Sequence, residues 1–130
     1  MADDFKRSCP KGEFLGSISN YLVQQQWKRV SILLSTAPFE SYGLTMREAL
    51  LHNVPVVSRR NLGSMELHSK YPQLVAIYDS EDEAVLLIEK LTEMQRVGSS
   101  VAEFARFRMN FLEEQDQSLS RLAQSWINAL

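Results

Sequence analysis

The chain of 130 residues suits one domain with a real core, and its 45% apolar and 23% charged residues are an ordinary globular mixture. Net charge is −2 with both signs interspersed, so there is no basic stripe of the kind a nucleic acid partner would need. The single cysteine, Cys9, excludes an internal disulfide and fits a reducing, cytoplasmic setting, and no run approaches the roughly 20 apolar residues of a transmembrane segment.

Residues 1–11 read as a poorly ordered lead-in without an apolar signal core. Phe14-Leu15-Gly16 resembles the end of a short buried strand. Ile18, Tyr21 and Leu22 then recur at helical spacing towards Trp27, with Ser17 as N-cap. Val30–Leu34 is an apolar run of strand length, broken by Pro38. Gly43–His52 has the spacing of a helix, and Val54–Val57 that of a second buried strand whose start is marked by Pro55. A loop with Asn61 and Gly63 leads to a short helix near Met65–His68, then to a third strand at Leu74–Tyr78. Ala84, Leu87, Ile88 and Leu91 fall on one face of a helix over Glu81–Gln95 that opens with acids and stops before Gly98. Val101, Phe104 and Ala105 begin one further helical stripe. Leu119, Leu122, Ala123, Trp126, Ile127 and Leu130 form another, so two C-terminal helices are expected.

Strands alternating with helices imply parallel pairing. The expected fold is α/β: a partial Rossmann-like layer of about four parallel strands with flanking helices and a C-terminal helical appendage. Residues 12–97 form the layer, and residues 98–130 pack on it as helices.

In an open parallel sheet, ligands bind beyond the carboxyl ends of the strands. The loop Ser35–Gly43 occupies that place and feeds directly into a helix. The first amides of that helix, at Gly43, Leu44 and Thr45, lack intrahelical acceptors and suit a phosphate. Glu40 and Glu48 frame this helix start. An acid beside a phosphate repels it, so both are better suited to accept hydrogen bonds from vicinal hydroxyls of a sugar or ribose. A plain structural reading stands beside this one, because a glutamate near a helix N-terminus is favourable through the dipole alone.

Glu40-Ser-Tyr-Gly-Leu-Thr-Met-Arg-Glu48 resembles the E-x7-E signature of retaining GT-B glycosyltransferases. Ala49–Val57 is similar to the continuation A-x-x-x-G-x-P-V-V, with Asn53 in place of Gly, and Gly63-Ser-Met-Glu66-Leu67 is similar to the family's G-x-x-E-L. The resemblance implies that Glu40 meets donor-sugar hydroxyls, that the amides of Tyr42, Gly43, Leu44 and Thr45 hold a diphosphate, and that Glu48 binds the ribose. It implies a nucleoside-diphosphate sugar as substrate, no cofactor or metal, and same-face attack that retains configuration. Ala37 departs from the family's Ser three positions before the first Glu. The acceptor domain and the basic residues that neutralise diphosphate have no counterpart among these residues. The expectation is therefore a donor-binding portion that is inactive alone, with self-association or a second chain supplying the rest of the fold. The rival expectation is a non-catalytic interaction module. A third is a piece of a full enzyme.

Other residues carry less. Arg59–Arg60 read as a solvated turn, Trp27 and Trp126 as packing residues, Cys9 as an inert thiol, and His52 and His68 as surface or helix-end residues. Glu66 reads equally as a helix-start acid or part of the site.

Overall fold

The computed structural model describes residues 2–129. In chain order these form α1 (Ala2–Ser8), α2 (Asn20–Gln26), a 3-10 turn at Trp27–Arg29, β1 (Leu33–Ser35), α3 (Leu44–Leu51), β2 (Val56–Arg59), α4 (Leu62–Lys70), β3 (Val75–Tyr78), α5 (Glu81–Arg96) and α6 (Val101–Ala129). The three strands make a parallel sheet in the order β1-β2-β3, with Leu33 opposite Val56 and Val56 opposite Val75.

Alternation along the strands divides the core into two. Val56 and Val75 face one side, where they meet Met46, Ala49 and Leu50 of α3, Leu67 of α4, and Phe104 and Phe107 of α6. Val57 faces the other side, against Ala84 and Leu91 of α5. Val56 and Val57 have no exposed surface, so β2 is covered on both faces as a central parallel strand must be. β1 is an edge. Its Leu34 points to the α5 side and is 46% exposed, because α5 packs on β2 and β3 and leaves a groove of about 590 Å³ over β1.

Several local expectations shift. The helix before β1 is capped two residues later than Ser17, because Ser19 is the residue whose hydroxyl accepts the Leu22 amide, at 3.3 Å. Phe14-Leu15-Gly16 is not a strand, so the sheet has three strands rather than about four. Gly16 takes φ 66°, which breaks an extended path, and Phe14 and Leu15 are 42% and 43% exposed. In the lead-in, residues 2–8 are helical, with Asp3 and Asp4 in the first turn where the dipole favours them. Met1 lies outside the described residues.

The C-terminal segment is one helix, not two. No Gly or Pro interrupts Val101–Ala129, so nothing in the backbone chemistry ends it. The two apolar stripes lie on the same side of this one helix, since Val101 and Leu119, Phe104 and Leu122, and Ala105 and Ala123 are each 18 residues, or five turns, apart. The first turns dock: Phe107 meets Tyr71 edge-to-face at 5.1 Å, Asn110 Nδ2 donates to the Tyr71 hydroxyl at 3.0 Å, and Arg106 donates to the Lys70 carbonyl at 2.8 Å. Beyond Phe111 every described residue is exposed. Leu130 of the second stripe lies outside the described residues. Among the described residues no helix is long and apolar enough to cross a membrane.

Candidate functional site

The site begins where β1 ends. Residues 36–43 turn back towards α3 through Gly43, which serves as N-cap at φ 80° and ψ 50°, a left-handed conformation that glycine adopts without steric cost. Glu40 then takes a role the sequence reading did not give it. Its Oε1 accepts the Gly43 amide at 2.9 Å and the Tyr42 amide at 3.4 Å. The expectation of a free Gly43 amide is thus corrected: the nearest carboxylate caps it, which is electrostatically favourable at a helix start. The amides of Leu44 and Thr45 have no protein acceptor among the described residues. Glu40, Gly43 and Thr45 line one open cavity of about 300 Å³ together with Ser35, Thr36 and Ala37.

The loop is anchored from α4. The Gly63 amide donates to the Glu40 carbonyl at 2.7 Å, and Asn61 Nδ2 donates to the Ala37 carbonyl at 3.0 Å. Asn61 also caps α4, exchanging hydrogen bonds with Ser64. Gly63 sits in tight quarters. A Cβ there would stand 3.0 Å from the Gly43 nitrogen and 3.1 Å from the Tyr42 carbonyl carbon.

A second anchor is Arg47, which the sequence reading passed over. It is 4% exposed, its guanidinium lies 3.9 Å above the Tyr42 ring, its Nε donates to the Tyr42 carbonyl at 3.1 Å, and Nη2 approaches Glu66 Oε1 at 3.7 Å. Tyr42 is therefore held by ring and carbonyl alike. Glu66 is an ion-pair partner of both Arg47 and Lys70. A signal was available in the sequence: Arg47 sits at i+4 from Gly43, between residues that pack on the sheet.

Glu48 does not line the 300 Å³ cavity. Its Oε1 accepts from Gln24 Nε2 and, at 3.3 Å, from the Trp27 indole. Gln24 also meets His52 Nε2 at 2.9 Å, and the His52 ring stacks on Trp27 with centroids 6.0 Å apart. Trp27 thus packs in the core, as expected, and additionally orients Glu48. The second histidine, His68, bonds the Val75 carbonyl through Nδ1. The Leu44 side chain is largely exposed.

Beside the cavity, a broader cleft of about 550 Å³ runs between Pro38–Ser41 and the start of α4, bordered by Arg60, Leu62 and Met65. Phe39 on its rim is 91% exposed. Arg60 is not a free cation: it grips Asp79 with two hydrogen bonds of 2.9 Å, joining the ends of β2 and β3. The Arg60 hydrogen bonds hold the Asp79 carboxyl below its ordinary pKa, and Asp79 raises that of Arg60.

A parallel α/β layer with a capped loop at the carboxyl end of an edge strand defines a partial Rossmann-like fold with an open strand-end site. The sequence comparisons give this class a relative. The chain is similar to the probable sucrose-phosphate synthase of Thermosipho melanesiensis, with 36% identity over 98 residues covering 68% of this chain. The match is glycosyltransferase-like, and it spans 23% of the relative's length. No family model and no solved structure matches the chain.

Proposed function

We propose that this chain is the donor-nucleotide portion of a retaining glycosyltransferase of GT-B type. The observation that carries the reading is the loop at the end of β1, where Thr45, whose amide has no protein acceptor among the described residues, lines the same cavity as Glu40, with the equally unpartnered Leu44 amide next to it in the chain. The similarity to a probable sucrose-phosphate synthase supports the same class. In this reading Leu44, Thr45 and the Gly43 turn receive the diphosphate, Tyr42 shapes the loop, Glu40 meets sugar hydroxyls, and Glu48 accepts from the ribose. The substrate is a nucleoside-diphosphate sugar, and the working compartment is the cytoplasm. No Lys or Arg lines the cavity, so the cations that neutralise a diphosphate, and the acceptor site, come from a second polypeptide segment or chain. The 130 residues alone therefore bind donor weakly and do not transfer sugar, since transfer needs donor and acceptor held together.

One experiment separates this from the rival. Glu48→Gln weakens binding of a ribonucleoside diphosphate and leaves a 2′,3′-dideoxy analogue unaffected. The rival, a non-catalytic interaction module, is favoured by one observation: Glu40 and Glu48 both already have protein partners. Under it, both ligands respond equally or not at all.

A further inference from the structure

α6 carries a second apolar stripe that docks on nothing in this chain. Val101, Met109, Leu112, Leu119, Leu122 and Trp126 are 57–71% exposed and recur at spacings of three, four and seven or sums of these. At 100° per residue the stripe lies about a quarter-turn from the docked face of Phe104, Phe107 and Phe111. Its 112–129 part runs on past the last docked turn, with Leu122 at the angle of Phe104, and is exposed because the helix extends beyond the body.

We propose that the stripe of residues 112–129 is covered by the same stripe of a second copy of this chain, running antiparallel. Side-chain sizes select that arrangement. Placing Leu119 of one copy against Leu122 of the other brings Leu112 opposite Ala129 and Gln115 opposite Trp126, so the leucines meet at the centre and each outer layer joins a larger residue with one that leaves room for it. A parallel pair would stack Trp126 on Trp126 and leave a gap between the two Ala129 residues.

Charge selects it too. Glu113, Glu114 and Asp116 cluster at one end, whereas residues 122–129 hold no charge. Antiparallel pairing sets each acidic cluster beside an uncharged segment, and parallel pairing sets it beside its twin. The docked bodies then sit at opposite ends of the paired helices and do not collide. The two stripes hide on the order of 1,000 Å² together, the threshold of a specific contact.

Sedimentation of the full chain at increasing concentration is expected to show a monomer–dimer equilibrium. Leu119→Glu with Leu122→Glu is expected to leave monomer only, with the melting curve kept, since both side chains are exposed in the monomer. Phe14→Ser with Leu15→Ser is expected to leave the dimer intact. Spin labels on Ser120→Cys or Asn128→Cys, each in a Cys9→Ser background, fix the direction. Antiparallel copies offset the 128 pair by about 20 Å more along the helix axis than the 120 pair, which lengthens the label separation by roughly 10–15 Å, and parallel copies hold both pairs equally close. A wild-type monomer at millimolar concentration, association that survives the double glutamate change, or equal label separations would each overturn the proposal.

Discussion

The Arg47 guanidinium lies 3.9 Å over the Tyr42 ring while its Nε donates to the Tyr42 carbonyl at 3.1 Å. One side chain inside α3 thereby fixes the residue just before the αL turn at Gly43, and the turn sets the direction in which the Leu44 and Thr45 amides point.

Arg47→Met removes a hydrogen bond from a charged donor and a cation–π contact. It is expected to cost about 2–4 kcal/mol, with the Arg47→Lys variant recovering less than half, because an ammonium cannot stack and fork at once. Urea unfolding monitored by circular dichroism measures this. A loss below about 0.5 kcal/mol for Arg47→Met would show that the loop does not depend on the clamp.

Gly63→Ala forces a methyl against the backbone at Gly43 and Tyr42, which is not a flexible neighbour that can step aside. The expected loss is about 1–3 kcal/mol, accompanied by amide shift changes at Tyr42, Gly43 and Leu44. The Gly98→Ala variant is the contrast. Nothing lies within 4 Å of a Cβ there, so only the strain of φ 70° is felt and the loop shifts stay in place. Equal loop perturbation by both variants would contradict the close packing of α4 on the loop.

Much of this architecture is legible in the sequence, and the failures have causes. Pro55 and the Val run mark β2, and Asn53 at φ 61° closes α3 in the left-handed conformation its residue type allows. Ser80 caps α5 by accepting the Glu83 amide, and the Ala84–Leu91 stripe gives that helix its face. Phe14-Leu15-Gly16 misleads because a short apolar run has no periodicity to distinguish a strand from an irregular segment. The single α6 reads as two helices because the polar run 113–118 interrupts an apolar face that otherwise keeps its angle, and an interruption in patterning is not a backbone stop signal. Glu40 and Glu48 were legible as a pair. Their partners, Gly43 and Trp27, were not, because a pattern of types says nothing about which way a carboxylate turns.

The Arg60–Asp79 pair has a definite pH signature. Folding lowers the Asp79 pKa from its ordinary value near ~3.9, chiefly through the hydrogen bonds from Arg60. A depressed acid favours the native state above its unfolded pKa, and that contribution disappears as pH falls through the lower folded value. Carboxyl carbon shifts are expected to place the Asp79 midpoint below the ordinary range in the wild type and back within it in Arg60→Met. An unchanged midpoint in the variant would mean the pair is not formed in solution. Both groups are exposed, so the change in global stability is small.

Turnover is expected to be absent. The purified 130-residue chain incubated with UDP-, GDP- or ADP-sugars and a range of acceptors releases no nucleoside diphosphate above the uncatalysed background. Robust release, with product retaining the anomeric configuration, would show that the residues described here complete a site unaided.

The central claim is that the loop Tyr42–Thr45 is a diphosphate cradle. A helix N-terminus contributes about 0.3–2 kcal/mol towards an anion, and a charge-assisted hydrogen bond from a ribose hydroxyl to Glu48 about 1.5–3 kcal/mol. Without cations in the cavity, affinity on the order of millimolar follows, about −4 kcal/mol. Gly43→Val is a poor probe of that claim, since φ 80° strains any branched side chain whatever binds. Amide chemical shifts of the wild-type chain, followed through a titration to several millimolar UDP, GDP and ADP, test it directly. The account predicts that at least one of these ligands moves Leu44 and Thr45 saturably, that Glu48→Gln raises the midpoint, and that amides of α5 stay fixed. If Tyr42, Gly43, Leu44 and Thr45 remain unshifted with all three ligands, the donor-site reading is contradicted.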